Sequence, residues 1–411
     1  MSTSSRLAML VLAILVGVIV RANLQQRKPA EGVGRQALDA VAPVTSRDQL
    51  ARTVDIMQNR LKQNPTDARA AITLADALLR QARVSGNAGL ASTAEQALLR
   101  VLKDDPLHYD ARRMLAAVHL SQHCFRDAIR EAEQARDQRA TDDWNYGVIG
   151  DGYLELGEYE HAFASFQRMM DLRPTAGAYA RIAYALELGG RLEAALEAMR
   201  LSTDATPPSD AESLAWHHAQ MGDLHRQLGD LAAAAREYRW ADRSFPGHPF
   251  ALIGMARVTE ARGDLPGAVS AYEQVMSRTP TPDVAEKLGD LYRALGRTHQ
   301  SAELYALAEA GWRFDAPHPT FLARFLAEHD RKLDEAVQIA EGAARERDDI
   351  FTDDALAWCY FKAGRLSDAA AAIKRAQRTG TKDQGILAHA AAIARAAGPA
   401  SASPGGRGHH G

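Results

Sequence analysis

A glycine that returns every 33 or 34 residues constrains this chain more than any other feature. Gly157 and Gly190 are 33 apart, Gly229 and Gly263 34, Gly263 and Gly296 33, and Gly364 lies 68, or twice 34, beyond Gly296. Each glycine closes a stretch of the form small–x2–bulky–x3–Gly. A small residue follows five positions later: Ala162, Ala195, Ala234, Ala268, Ser301 and Ala369. Self-similarity at this period marks a solenoid, in which each unit is too small to bury its own apolar face and stacks on the next. Glycine suits the turn because it reaches the left-handed conformation at the end of a helix without a Cβ penalty. A chain of 411 residues would ordinarily divide into two or three globular domains. A solenoid escapes that division, since it lengthens without enlarging any one core.

The fullest unit runs from Asp143 to Pro174 and carries Trp144, Tyr146, Ile149–Gly150, Tyr153, Gly157, Ala162, Phe166 and Pro174. A second carries Trp216, Met221–Gly222, Gly229, Ala234, Tyr238, Ala241 and Pro246. Later units keep Gly263, Ala268, Tyr272 and Pro280, then Leu288–Gly289, Tyr292, Gly296 and Tyr305. This pattern resembles the tetratricopeptide repeat. Aligned on these landmarks, nine units begin near Ala68, Tyr109, Asp143, Ala176, Ala215, Pro249, Pro282, Pro317 and Ile350. The resemblance implies an all-α fold, an α-solenoid of helix-turn-helix hairpins in a right-handed superhelix. Residues 46–64 read as a lone helix capped by Ser46 and residues 383–397 as a closing helix, so the solenoid is expected over 46–397.

Four departures stand out. The first full unit lacks the expected glycine turn and gains about seven residues around Val84–Ser92. The second has His123 where glycine is usual. A longer connection, Thr206–Asp210, precedes the unit containing Trp216. The unit near Pro317 places Arg324 at a small position and Asp330 at the turn.

Arg6 precedes an apolar run from Leu7 to Val20, 14 residues, which is the length of a signal-peptide core and short for a membrane span. Residues 1–22 are therefore expected to export the chain to the periplasm or the exterior, or to anchor it in the membrane. Arg21, Arg27 and Lys28 support the alternative of an uncleaved anchor with the repeats on the cytoplasmic side. Residues 23–45 read as a linker and residues 398–411 as a disordered tail. A net charge of −3 gives no basic footprint, so no nucleic-acid partner is expected. The two cysteines, Cys124 and Cys359, fall far apart in a rod-like array and are expected to be buried and unbridged.

Catalytic signatures are missing from the pattern. There is no phosphate-binding glycine loop and no His-Glu-x-x-His. His119 and His123 lie one helical turn apart beside Cys124, a spacing that permits two metal ligands, yet His119 occupies a bulky packing slot. A metal sensor is thus the weakest alternative. No cofactor, no metal and no catalytic residue are assigned, and the chain is read as a non-enzyme. The resemblance directs attention to the concave face. There it implies a row of acids, Asp76, Asp151, Asp223 and Asp290, and a set of aromatics: Trp144, Tyr184, Trp216, Phe250, Phe321, Phe325, Phe351, Trp358 and Phe361. Aromatics supply large contact areas at low entropic cost. The expected function is a scaffold holding an extended peptide or protein segment in that groove. The alternative is an envelope assembly or secretion accessory that uses the convex face and the two long connections. The Lys and Asn pattern with which some relatives grip a terminal carboxylate is absent, with Arg113, Gly147, Ala180, Ala219, Ile253 and Glu286 at the relevant position.

Overall fold

Helix ends, more than helix interiors, set the architecture. In the computed structural model, which describes residues 46–314 and 319–397, every turn glycine of the repeat sits in the left-handed region: Gly157, Gly190, Gly229, Gly263, Gly296 and Gly364 have φ between 71° and 83°. His123 (φ 60°) and Asp330 (φ 52°) take the same conformation where the sequence departs from glycine, at a cost of about 1 kcal/mol each. Side-chain caps fix many of the opposite ends. Asp67, Asp142, Asp230 and Asp349 each accept a backbone N–H from the first turn of the helix they precede.

The described residues form twenty α-helices and no strand. They divide into two compact units between His318 and Pro319. Unit 1 opens with the single helix α1 (Arg47–Gln63), capped by Ser46 as expected. Seven hairpins follow. They are α2 (Ala68–Ser85) with α3 (Leu90–Asp104), α4 (Tyr109–Ser121) with α5 (Phe125–Gln138), α6 (Asp143–Glu155) with α7 (Tyr159–Leu172), and α8 (Ala176–Leu188) with α9 (Leu192–Ala205). Then come α10 (Ala211–Gln227) with α11 (Leu231–Ser244), α12 (Pro249–Ala261) with α13 (Leu265–Arg278), and α14 (Pro282–Ala294) with α15 (Thr298–Phe314). Unit 2 holds α16 (Pro319–Glu328) with α17 (Leu333–Glu346), α18 (Ile350–Lys362) with α19 (Leu366–Ala376), and the closing helix α20 (Gln384–Ala397). Seven hairpins begin at the residues the landmarks specify. The other two begin at Ala211 and Pro319 in place of Ala215 and Pro317. The apolar run 7–20, the linker and the tail lie outside the described residues.

Within each hairpin the small positions do the packing assigned to them. Ala94, Ala128, Ala162, Ala195, Ala234 and Ala268 are wholly buried. Tyr238 shows why the facing residue must be small. A Cβ on Gly222 would lie 2.5 Å from its ring, and one on Gly254 of the next hairpin 2.1 Å, so one aromatic ring fills the space between two hairpins. No side chain larger than hydrogen fits either place.

Unit 1 departs from an extended rod. Its first helices return to meet its fifth and sixth hairpins: one continuous apolar cluster joins Leu50, Leu78 and Leu98 to Ala215, Tyr238, Phe245 and Val258. Arg47 donates to the Gly247 carbonyl at 2.7 Å, and Gly86 lies against Thr279 and Thr281. Two of the places where the sequence breaks its period add to the contact. The insertion near Val84 adds turns to α2, which runs 18 residues against 13 in α4, α6 and α8, and it supplies its own left-handed glycine, Gly86. The first full unit therefore has a glycine turn after all, displaced along the chain. The insertion near Thr206 likewise starts α10 a turn early, giving it 17 residues. Cys359 is buried as expected, but Cys124 is exposed, because it sits at the N-cap of α5 and not inside it.

Candidate functional site: an arginine-lined cavity in unit 1

The return of α2 towards α10 encloses a cavity of about 1300 Å³ on the inner side of the first five hairpins of unit 1. Its closing edge is a buried ion cluster, the clasp. Glu212, wholly buried, accepts from Arg83 Nε at 3.0 Å and Nη2 at 2.8 Å, and lies 3.5 Å from Arg80 Nη1. Arg80 also bonds Asp76 and Asp210, each at 3.0 Å. Burial alone would raise the Glu212 carboxyl, but the Arg83 and Arg80 guanidinia outweigh it and hold the group well below the usual carboxylate range. His248, also wholly buried, places Nε2 3.9 Å from the same carboxylate.

Around the remaining wall, cations and anions alternate. Arg113 lies 3.2 Å from Asp142 and 4.2 Å over the Trp144 ring. Arg139 spreads over the Tyr109 ring at 3.9 Å, with Asp110 also 3.9 Å away. Arg173 reaches Asp143 at 3.4 Å, and Arg181 grips Asp151 at 2.6 Å. Asp142 accepts the Tyr109 hydroxyl at 2.7 Å and caps α6. His217 hydrogen-bonds Ser202 and Thr206, both at 3.1 Å, and burial pulls it down to about 4, so this part of the wall is uncharged near neutrality. Met114, Leu120, Val148, Met169 and Trp216 supply apolar lining.

Of the residues expected to face a partner, Trp144, Trp216 and Asp76 line the cavity, Asp76 paired with Arg80. The acids of the row are all engaged within the chain. Asp151 holds Arg181, Asp223 accepts the Tyr238 hydroxyl at 2.9 Å and lies 3.4 Å from Arg257, and Asp290 accepts the Tyr305 hydroxyl at 2.7 Å. Tyr184 and Phe250 are partly exposed but line a different part of unit 1. In unit 2, Phe325 is wholly buried, a correction to its expected place on the groove surface, because α16 turns it into the core beside His329. Trp358 is half-buried and stacks on His389 at 4.0 Å and on Phe361 at 4.9 Å. Phe321 and Phe351 remain partly exposed.

His389 anchors the closing helix of unit 2. Its Nδ1 meets Asp354 of α18 and its Nε2 meets Glu328 of α16, each at 3.0 Å. Burial would lower this imidazole, but the two carboxylates push it up to about 9. Asp353 on the same helix holds Arg375 at 2.7 Å and Arg378 at 2.8 Å. The paired aspartates of α18 are therefore bonded to neighbouring helices.

The cavity arginines went unnoticed in the sequence, although one signal was present. Arg139 and Arg173 are the C-cap residues of α5 and α7, 34 positions apart, and so occupy the same place in successive repeats. Attention to first-helix positions alone passes over them. As for His119, His123 and Cys124, among the described residues no group of three His, Cys, Asp or Glu side chains is placed to hold a metal ion.

The tetratricopeptide repeat family matches this chain at residues 148–210 and 220–285, a stretch that runs from α6 into α14. Among solved structures, the human IFIT1 dimer with PPP-AAAA is similar at 14% identity and a TM-score of 0.51, covering 80% of this chain and 77% of that one. The same protein with m7Gppp-AAAA gives 13% identity and 0.51, over 80% and 76%. The APC/C hetero-tetramer Cut9–Hcn1 gives 15% identity and 0.49, over 84% of this chain and 59% of that one, so this chain spans about three fifths of its length. At such identities the likeness is one of fold. No curated protein matches the sequence.

Proposed function

We propose that this array of tetratricopeptide-type hairpins is a non-enzymatic interaction scaffold that receives an extended protein segment in the unit 1 cavity. One observation carries the reading: a space of about 1300 Å³ bordered by successive first helices, with Trp144 and Trp216 on its wall. Such a surface offers area and orientation but no activated nucleophile or base. The competing reading, contacts through the long connections, keeps exposed residues in both, Gly86 to Gly89 and Pro207 to Ser209, while Gly86 and Asp210 help to close unit 1. Selection of a random peptide library on the full chain supplies the test. Peptides so recovered should bind at least tenfold more weakly to Trp144→Ala/Trp216→Ala, with far-UV helicity intact. Equal binding by the double variant would remove the assignment.

The proposal that residues 7–20 export or anchor the array rests on their apolar run alone. Sequencing the N-terminus of the protein isolated from its native membrane and exported fractions tests it. An intact N-terminus in a soluble cytoplasmic fraction would contradict both forms.

A further inference from the structure

The cavity's charges are layered, and the layering points to a partner. Six arginines and five carboxylates line it, so the lining is close to neutral in sum. What solvent meets is different. The Arg139 and Arg173 side chains are 58% and 62% exposed, while Asp143 beneath Arg173 is 8% exposed and Glu212 beneath Arg83 not at all. At these points guanidinia lie outside carboxylates, whereas Arg80, Arg113 and Arg181 are as shielded as Asp76, Asp110 and Asp142.

The outer arginines are only loosely engaged. Arg173 uses Nε towards Asp143 at 3.4 Å, beyond a good hydrogen bond, and Arg139 approaches Asp110 only to 3.9 Å. Their terminal nitrogens are suited to a second, bidentate carboxylate. Trp144, Met114 and Met169 line the same cavity and favour apolar side chains.

We propose that the segment received in this cavity is acidic: an extended stretch whose Asp or Glu side chains pair with Arg139 and Arg173 while interspersed apolar side chains pack on Trp144. This deepens the reading of the cavity given above and rests on it. The observations favour a peptide over a polyanionic nucleic acid. A nucleic acid draws affinity from neutralising many phosphates at once, and the five carboxylates of the lining leave a net excess of about one positive charge. Isolated carboxylates need only local partners. Exposed guanidinium–carboxylate pairs contribute modestly, so the arginines set preference and association rate, and the apolar wall sets most of the affinity.

The library selection carries the test, with both ends of every peptide blocked so that no terminal carboxylate takes part. Peptides recovered on the native chain should be enriched in Asp and Glu and poor in Lys and Arg, and should weaken several-fold between about 50 mM and 300 mM salt. Arg139→Ala/Arg173→Ala should bind them about tenfold more weakly. Arg173→Glu, which keeps an exposed polar side chain, should shift a fresh selection towards basic peptides. A pool that depends on Trp144 and Trp216 but is neutral or basic would overturn the acidic preference and leave the cavity as the site. A pool indifferent to all four positions would overturn both. Tighter binding of a 5′-triphosphorylated tetranucleotide than of any recovered peptide would assign the arginines to phosphate and refute the proposal.

Discussion

Each unit ties elements distant in sequence together through a buried charge, but with different chemistry. In unit 1 the Arg80 and Arg83 guanidinia hold Glu212 across some 130 residues of chain. In unit 2 the His389 imidazolium is held by Asp354 and Glu328. A guanidinium stays charged throughout the pH range a protein experiences, whereas an imidazolium does not. The first tie is therefore permanent above the carboxylate range and the second is conditional on pH.

The largest effect should come from removing the permanent tie. Glu212→Gln removes the buried carboxylate that holds Arg80 and the half-exposed Arg83, and should destabilise unit 1 by about 2–4 kcal/mol in urea unfolding. A change below about 1 kcal/mol would mean that the clasp is an incidental contact.

The conditional tie should reveal itself through pH. His389 has its pKa raised from an ordinary 6.5 to about 9 in the folded chain. A raised histidine contributes stability that is fully present below the unfolded value and lost as pH rises through the folded value. Unit 2 should therefore lose up to about 3 kcal/mol between pH 6.5 and 9. The opening free energy of α20 from hydrogen exchange, corrected for intrinsic rates, should fall across that window in the native chain and stay level in His389→Gln. Parallel slopes in the two proteins would show that the imidazolium is not the anchor.

A smaller effect separates packing from charge. Gly254→Ala should cost about 1–3 kcal/mol, because its new Cβ meets the Tyr238 ring and that ring, hydrogen-bonded to Asp223, has nowhere to turn. The cost should not vary with salt, unlike the contribution of the partly exposed Arg83–Glu212 pair.

Most of the hairpin grammar was legible in the sequence because it is local. A left-handed turn needs glycine, and a close helix crossing needs Gly150, Gly222 or an alanine, whatever lies elsewhere in the chain. The closure of unit 1 was not legible, since it depends on two insertions far apart in sequence, each of which reads as a loop by itself. Asp151, Asp223 and Asp290 were found in the sequence, but their bonds within the chain were not. Their partners, Arg181, Tyr238 and Tyr305, come from other turns and other helices, and a one-dimensional pattern does not reveal that they are already paired. The aromatic set divided for a similar reason: Trp144 and Trp216 stand at the cavity wall, while Phe325 is wholly buried in α16.

The account rests most heavily on the closure of unit 1, and one distance tests it. Spin labels at Asn87→Cys and Pro280→Cys, in a chain whose Cys124 and Cys359 are replaced by serine and alanine, would flank the contact of Gly86 with Thr279 and Thr281. Electron–electron resonance should give one narrow distribution at short separation, in the range allowed by the labels' own length. An open array, with hairpins stacked at the usual helix spacing of about 10 Å, would instead set them about 50 Å apart, and that result would contradict the account.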